Sequence, residues 1–259
     1  MKVVHSRDNL FFKELRRLVE SGRERKKAGL VVLDGLHLIR DYERAVGPVQ
    51  TLVASRRGRE NPEAAAYLAG RPVVELADPL LAELGIVETP SGVLALAPRP
   101  PGGGAPRNGV DTVVLDGIQD PGNVGTLLRT AAAAGFAQAV LGPGCADPWS
   151  PKVLRAGQGA HFALAVSEEA DLPAFLGGFA GTAAATSLEG SASLYAAPLA
   201  PPVAWVFGSE GRGVSAEVLA AVPLRVRIPM PGAVESLNVA AAAAVCLFET
   251  VRRRLAASG

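Results

Sequence analysis

The chain has 259 residues, of which 49% are hydrophobic and 20% are charged, and its net charge is +1. This composition excludes an intrinsically disordered chain and predicts a globular protein with a substantial core. The length is typical of one large domain or two modest ones.

The sequence carries no signal of a membrane protein, a secreted protein or a metalloprotein. The alanine-rich stretch after Asn238 is too short and too closely flanked by charge to span a bilayer, and no signal peptide opens the chain. Cys145, Cys246 and three dispersed histidines have no metal-ligand spacing. We therefore expect a soluble, cytoplasmic protein without a metal site.

The residues before Pro98 alternate between predicted helices and strands. A helix is predicted around Asn9 to Ser21, and the stretch GLVVLDGLHLIRDYERA follows as a buried strand, a turn at Asp34-Gly35 and then a helix. Further strands are predicted at VQTLVAS, PVVELA and GVLALAP, with helices at PEAAAYLAG and DPLLAELG between them. This alternation predicts a small α/β domain with a mainly parallel sheet.

Basic residues are concentrated near the start of the chain. Residues 1–60 contain fourteen lysine and arginine residues against eight acidic ones. Seven of these cations lie between residues 11 and 29, namely Lys13, Arg16, Arg17, Arg23, Arg25, Lys26 and Lys27. Such a concentration fits contact with a phosphate backbone. The alternative is a solvated helix face on which Glu14, Glu20 and Glu24 separate the positive charges.

A proline- and glycine-rich stretch divides the chain. PRPPGGGAPRNG, from Pro98 to Gly109, contains four prolines and four glycines and predicts neither a helix nor a strand. We interpret it as a linker between two domains, a first at residues 1–97 and a second at residues 110–259.

The second domain alternates more regularly than the first. Strands are predicted at DTVVLDG, QAVLG, FALAV, GTAAAT, AWVFG and LRVRIP. Helices are predicted at NVGTLLRTAAAAG, SPKVLRAG, LPAFLGGF, SAEVLAAV and the closing SLNVAAAAAVCLFETVRRRL. Because right-handed crossovers place ligands at the carboxyl ends of parallel strands, polar residues at those ends are candidate site residues.

Three motifs supply such residues. In LDGIQDPGNVGTLLRT, Asn123 opens a helix after a strand and Arg129 lies two turns further along, where the helix N-terminus suits an anion. In VFGSEGRGVS, Glu210 stands among glycines after a buried strand. In RIPMPGAVESLNV, Ser236 occupies an N-cap position and Asn238 the first turn. Taken singly, the first motif could be a helix cap beside a surface arginine, the second a glycine-rich turn with a solvated glutamate, and the third a plain capped helix.

Taken together, the three motifs resemble those of the SpoU/TrmH family of RNA ribose methyltransferases, within the SPOUT superfamily. The matching pattern is N-x5-R, FGSEGRG and IPMPG-x3-SLN, in this order. The residues before the linker resemble more weakly a substrate-binding domain of that family, through VVLDGLHLIRDY and ETPSGVLAL. The resemblance implies a SPOUT α/β domain with a deep trefoil knot that forms the pocket for S-adenosylmethionine, preceded by a small α/β RNA-binding domain. It also implies a homodimer.

The resemblance assigns roles to eight residues of this chain. Gly208, Ile228 and Leu237 would hold S-adenosylmethionine, largely through backbone groups. The catalytic set would be Asn123, Arg129, Glu210, Ser236 and Asn238. Because arginine stays protonated in proteins, we expect Arg129 to grip a phosphate beside the target ribose and to stabilise the developing alkoxide, with general-base action left open.

The expected activity is S-adenosylmethionine-dependent methylation of a ribose 2′-hydroxyl in RNA. The additional first domain favours ribosomal RNA over transfer RNA as the substrate. A methyltransferase acting on a base, and an RNA-binding module of the same fold without activity, are the alternatives. The intact Asn-Arg-Glu-Asn set argues against the inactive module.

Overall fold

The computed structural model describes residues 2–86, 90–187 and 192–257. Part of the ETPSGVLAL motif, Glu88 and Thr89, lies outside these residues. The chain forms two compact units. Unit 1 comprises Met1–Pro100 together with Trp149–Phe162, and unit 2 comprises Pro101–Pro148 together with Ala163–Gly259. The chain therefore crosses between the units three times.

Unit 1 contains a five-stranded sheet. Its strands are β1 (Lys2–Val4), β2 (Leu30–Asp34), β3 (Thr51–Ala54), β4 (Val73–Leu76) and β5 (Val93–Pro98). Its helices are α1 (Leu10–Glu20), α2 (Gly22–Ala28), α3 (Leu36–Ala45), α4 (Arg56–Arg59), α5 (Pro62–Leu68), α6 (Asp78–Glu83) and α8 (Pro151–Gly157). Helix α7 (Pro121–Ala133) lies between α6 and α8 in the chain and belongs to unit 2. The predicted α/β alternation is confirmed, whereas β1, α2 and α4 were not predicted.

The sheet of unit 1 is mixed. Its order is β1-β4-β3-β5-β2, and β5 runs antiparallel to both β2 and β3, whereas the other four strands share one direction. The expectation of a mainly parallel sheet therefore holds for four strands and fails for β5. The hydrophobic pattern of GVLALAP does not encode strand direction, because a strand buried on both faces has the same composition in either orientation.

Segment Trp149–Phe162 packs into unit 1 although it lies far along the chain. Arg155 in α8 donates from Nη1 to the backbone carbonyl of Asp34, 2.9 Å away. Gly35 has φ +102, and a Cβ on it would lie 2.2 Å from Nη1 of Arg155. Tyr42 packs edge-on against Phe162, with ring centroids 5.5 Å apart. Burial raises the pKa of the Asp34 carboxyl, which accepts from the Ser91 hydroxyl at 2.6 Å.

Unit 2 contains a seven-stranded parallel sheet. Its strands are β6 (Thr112–Asp116), β7 (Gln138–Leu141), β8 (Ala165–Ser167), β9 (Thr182–Thr186), β10 (Ala192–Ser193), β11 (Val203–Gly208) and β12 (Leu224–Arg227). The order is β10-β12-β9-β11-β6-β7-β8. Its helices are α7 (Pro121–Ala133), α9 (Leu172–Gly177), α10 (Ala216–Ala220) and α11 (Val239–Ala257). Every predicted strand and helix of this half is present, and β10 is additional.

The second half of the linker is held against unit 2. The Gly103 amide donates to the Val166 carbonyl at 2.9 Å, and a Cβ on Gly103 would lie 2.9 Å from the Val166 nitrogen. Buried Gln138 exchanges two hydrogen bonds with the Arg107 backbone, at 3.0 and 2.7 Å. The stretch from Gly103 to Arg107 therefore has defined backbone partners.

The long helix α11 is anchored at its C-terminal half. Arg254 makes two contacts with the Asp111 carboxylate, at 2.6 and 2.7 Å, and the Trp205 indole donates to the Thr250 hydroxyl at 2.9 Å.

Among residues 2–86, 90–187 and 192–257, none of the helices has the length and apolar character that spanning a bilayer would need.

Candidate functional site

The predicted site residues converge at the carboxyl edge of the unit 2 sheet. β12, β9, β11 and β6 are consecutive neighbours in that sheet. The loops after β6, β11 and β12 carry the three motifs. In parallel sheets this edge is where ligands bind, because the loops there leave the strands on the same side.

The first motif forms the start of α7. The helix begins at Pro121, two residues before Asn123, and the side chain of Asp120 is its N-cap, accepting from the Asn123 amide at 2.7 Å. The alternative that Asn123 itself caps the helix is therefore wrong. Asp120 satisfies the free amide, which leaves the Asn123 side chain available for other contacts.

The second motif forms a tight turn over the end of β11. The Gly213 amide donates to the Ser209 carbonyl at 2.8 Å, and Gly213 has φ +67. A Cβ on Gly208 would lie only 2.0–2.1 Å from backbone atoms of Gly213 and Val214. Glycine is required at position 208 because the turn folds directly onto it, and this turn exposes Glu210.

The third motif differs from its prediction in one respect. Helix α11 begins at Val239, and the Asn238 side chain accepts from the Ala240 amide at 2.9 Å and the Ala241 amide at 3.3 Å. Asn238 is thus the N-cap, and the assignment of that position to Ser236 is wrong. Asparagine and serine are both good N-caps, so composition could not decide between them.

A chain of side-chain hydrogen bonds joins the three motifs. Nδ2 of Asn238 donates to Oδ1 of Asn123 at 3.1 Å, and Nδ2 of Asn123 donates to Glu210 Oε1. Asn123 is therefore both acceptor and donor, and its amide orientation is determined by its two neighbours. This relay, Asn238–Asn123–Glu210, connects residues 115 and 87 positions apart in sequence.

A cavity of about 610 Å³ lies beside this relay. Its lining includes six of the eight predicted residues, namely Gly208, Glu210, Ile228, Ser236, Leu237 and Asn238. Asn123 and Arg129 are not among the lining residues. A volume in this range suits a small-molecule ligand, and the mixture of glycine backbone, aliphatic side chains and a few polar groups is typical of such sites.

Arg129 stands apart from the other catalytic candidates. Its side chain is exposed on α7, and no hydrogen bond or ion pair joins it to another residue in the described ranges. Its guanidinium is thus available to an external anion. Arg129 therefore belongs to the catalytic set through its motif, and no hydrogen bond within the described residues joins it to Asn123, Glu210 or Asn238.

Three residues of the site were not predicted from the sequence, namely Thr186, Arg227 and Asp116. Thr186 at the carboxyl end of β9 and Arg227 at the end of β12 both line the cavity. Oδ2 of Asp116 accepts from the Ser215 amide at 2.7 Å and so ties the end of β6 to the glycine turn. The strand-end rule used for Asn123 would have identified Thr186 and Asp116.

The thiol near this edge is not a nucleophile. Burial raises the pKa of Cys145 to about 11, and its Sγ donates to the Leu115 carbonyl at 3.3 Å. At neutral pH the thiol therefore stays protonated. Among the described residues, no group of three histidine, cysteine, aspartate or glutamate side chains could hold a metal ion.

Comparison with known proteins gives two family matches. Residues 111–248 match the SpoU rRNA Methylase family, and residues 9–95 match the MRM3-like substrate binding domain. Both matches agree with the resemblance that the motifs indicated.

Individual proteins resemble the chain over nearly its full length. The 23S rRNA (guanosine(2553)-2′-O)-methyltransferase RlmP of Bacillus subtilis is 31% identical, covering 96% of this chain and 98% of the relative. A crystal structure of an RNA 2′-O ribose methyltransferase superimposes with a TM-score of 0.85 at 31% identity, covering 98% and 99% of the two chains. An AdoMet-bound rRNA methyltransferase from Sinorhizobium meliloti gives a TM-score of 0.79 at 29% identity, covering 98% of each chain.

Proposed function

The chain belongs to the SpoU rRNA Methylase family and is an S-adenosylmethionine-dependent RNA 2′-O-methyltransferase, and we propose that its substrate is ribosomal RNA. The observation that carries the site assignment is the relay Asn238–Asn123–Glu210, which joins all three motifs beside the cavity. Relatives named as 23S rRNA methyltransferases support ribosomal over transfer RNA, as does the match of residues 9–95 to a substrate binding domain. We extend the proposal to a cytoplasmic location, because the bacterial relative that matches the chain over nearly its full length is named as a 23S rRNA methyltransferase.

The cavity in unit 2 fits the cofactor. We assign cofactor binding to Gly208, Ile228 and Leu237, all of which line it. The absence of a side chain at Gly208 lets the turn of the second motif fold onto it, and the Gly208 backbone remains part of the cavity lining. S-adenosylmethionine, when bound, supplies a methyl group on a sulfonium. Among the described lining residues, Glu210 carries a negative charge and Arg212 and Arg227 carry positive charges, so the assignment rests on the fit of the lining and not on its charge.

Arg129 acts on the RNA in this proposal. Its exposed guanidinium has no partner in the described ranges and would contact the phosphate beside the target ribose. A guanidinium offers paired donors that match phosphate geometry, and its fixed charge would stabilise an alkoxide that develops at the 2′-oxygen. The same fixed charge makes it a poor proton acceptor, so the 2′-hydroxyl proton would leave to another group or to water.

The relay would hold the three loops in register for the reaction. Asn123 is pinned from both sides, and Asn238 also caps α11, so the position of this helix is coupled to that of Glu210. Ser236 lines the cavity just before the cap. Such pre-organisation matters because small displacements of positioning groups reduce rates steeply.

A trefoil knot and a homodimer belong to the same proposal. The knot would bring the segment before α11 through a loop, which is consistent with the contact of Asn238 with Asn123 and with a cavity lined from several loops.

Exposed apolar side chains near and on α11 support the homodimer, because Phe248 and Leu255 are 48% and 70% exposed and Leu237 is 41% exposed. These apolar side chains would be buried between two copies of α11. The alternative is that the helix packs only within its own unit.

The test is a methylation assay with defined products. The full chain is incubated with labelled S-adenosylmethionine and separate ribosomal and transfer RNA fractions from a strain lacking the gene, and the RNA is digested to nucleosides. We expect label in 2′-O-methylnucleosides of the ribosomal fraction. Label in a methylated base would contradict ribose specificity, label in transfer RNA alone would contradict the substrate, and cofactor binding without label would indicate an inactive RNA-binding module.

A further inference from the structure

The fold of unit 1 places the seven cations between residues 11 and 29 in three different environments. Lys13 is paired with Asp8 at 2.8 Å, and Arg16 with Glu20 at 2.8 Å. Arg25 is buried, with 3% of its surface exposed. The remaining four, Arg17, Arg23, Lys26 and Lys27, lie on the surface. The charge of this stretch is therefore not spread evenly over its helices.

Building on the proposed function, we propose that the outer face of α2 binds the RNA phosphate backbone through Arg23 and Lys27. Both side chains are exposed, and no ion pair joins either to another residue in the described part of the chain. Cations without carboxylate partners can contact phosphates without first breaking an ion pair. Such contacts supply much of the affinity for nucleic acid.

Arg25 fixes this face in place. Its Nη1 donates to the backbone carbonyls of Leu18 at 2.7 Å and Val19 at 3.0 Å, near the C-terminal end of α1. The carbonyls at a helix end lack intrahelical partners, so a buried guanidinium there both satisfies them and holds α2 against α1. Helix α2 is further capped at its start by Ser21, whose hydroxyl accepts from the Glu24 amide at 3.3 Å.

The helical repeat then determines where the other cations point. Arg23 and Lys27 are four residues apart and lie on the side of α2 opposite Arg25. Side chains at this spacing are neighbours, with Cβ atoms about 5–6 Å apart. Two long, flexible cations so placed can reach neighbouring phosphates of one RNA strand. Recognition of this kind depends on backbone shape and charge and not on base identity.

The competing surface in unit 1 is α4, where Arg56 and Arg57 are also exposed. Acidic residues offset the charge there, because Arg59 pairs with Glu75 at 3.8 Å and Asp78 accepts from the Arg57 amide at 3.2 Å. Helix α2 presents three exposed cations, Arg23, Lys26 and Lys27, against two on α4, and its single acidic residue is Glu24. The larger number of exposed cations favours α2 as the phosphate-binding surface.

The experiment compares three double variants of the full chain that lose the same formal charge. These are Arg23→Gln with Lys27→Gln, Lys13→Gln with Arg16→Gln, and Arg56→Gln with Arg57→Gln. Binding to an in-vitro transcribed, unmodified 23S ribosomal RNA is followed by fluorescence anisotropy across a salt series. Methylation of the same RNA is measured in parallel, and circular dichroism checks folding.

For Arg23→Gln with Lys27→Gln we expect Kd to rise about tenfold or more, and the slope of log K against log salt to become shallower by about 1.5, as for two lost phosphate contacts. The rate at saturating RNA should be unchanged. The other two variants should change Kd less than about threefold. An equal loss of RNA affinity in the Lys13 and Arg16 variant would overturn the proposal, because it would indicate a long-range effect of charge. A larger loss of affinity in the Arg56 and Arg57 variant would also overturn it and would place the interface on α4.

Binding is measured whether or not the RNA becomes methylated, so a failure of the proposed activity is distinguishable from a failure of this surface.

Discussion

Replacing Asn238 by aspartate separates its two roles. In the native chain its Oδ1 accepts from the Ala240 and Ala241 amides, while its Nδ2 donates to Asn123. Aspartate keeps the acceptor that caps α11 but removes the donor. It also places a second carboxylate near Glu210, the other end of the relay.

The expected magnitudes follow from these contacts. Aspartate and asparagine are N-caps of similar strength, so the cap itself should change the free energy of unfolding by less than about 0.5 kcal/mol. The lost hydrogen bond to Asn123 should lower that free energy by about 1 kcal/mol, and Oδ1 of Asn123 would then face another acceptor. Once Asn123 and Glu210 are no longer held in place, we expect a loss of about 1.4 kcal/mol or more in transition-state stabilisation, which corresponds to at least a tenfold fall in kcat/KM.

Two further variants make the comparison quantitative. Asn238→Ala removes both roles and should lower the free energy of unfolding by about 2 kcal/mol, about half of it from the cap, as well as the rate. Asp171→Ala is the control for the cap, because Asp171 caps α9 through the Ala174 amide at 3.0 Å and belongs to none of the three motifs. It should cost about 1 kcal/mol of stability without a change in rate.

Stability is measured by urea denaturation, and activity by single-turnover methyl transfer with saturating cofactor. If Asn238→Asp transfers methyl groups at the wild-type rate while remaining folded, the relay is not needed for the reaction. A rate loss in Asp171→Ala equal to that in Asn238→Ala would mean that helix capping alone accounts for the effect.

Three other predictions concern the catalytic cation, the oligomer and a buried carboxylate. Arg129→Ala should abolish methyl transfer but leave folding and cofactor binding intact, since its side chain is exposed and has no partner in the described ranges; near wild-type turnover would refute its assignment. Light scattering at micromolar concentration should give twice the chain mass, and a monomeric mass would contradict the dimer. Bonds from Arg252 and Arg253 lower the pKa of Glu249 to about 2 from 4.5, so its contribution is present above about pH 4.5 and is lost as the pH falls towards 2. The full shift in pKa corresponds to about 3 kcal/mol, and solvent screening at the exposed partner Arg252 reduces this. Glu249→Gln should therefore cost about 2 kcal/mol at pH 7 in urea denaturation, a difference that disappears below about pH 2.

We predict that the part of the chain before the linker selects the RNA and that the part after Gly109 transfers the methyl group. A chain beginning near Arg107 would contain only the second part, which has nine lysine and arginine residues against twelve acidic ones after Gly109. Such a chain would retain α8 without the residues of unit 1 against which it packs, including the Asp34 carbonyl that accepts from Arg155. Surface substitutions in the full chain test the same prediction without removing the residues that α8 packs against.

The sequence by itself determined the elements and the motifs of unit 2. Short apolar runs such as TVVLD and AWVFG alternate with helical stretches, and this period-based signal depends only on local side-chain order. The position of Asn123 after β6 and of Glu210 after β11 followed from the rule that parallel strands present their ends at one edge. The three motifs then indicated the family, because together they are far more specific than any one of them.

Tertiary structure alone decided which of these residues touch. No spacing rule predicts that Asn238 bonds to Asn123, because the contact joins residues 115 positions apart and depends on the path of the intervening chain. The same is true of α8, whose local pattern is that of any short helix but whose partners lie in unit 1. Composition alone treats the seven cations near the start of the chain as equivalent. Packing buries Arg25 and leaves Arg23 and Lys27 exposed, with no ion pair to either within the part of the chain that the structure describes. The physical reason is the same in each case: a side chain's charge and hydrogen-bonding capacity are local properties, but its partners are determined by which distant segments the core brings alongside it.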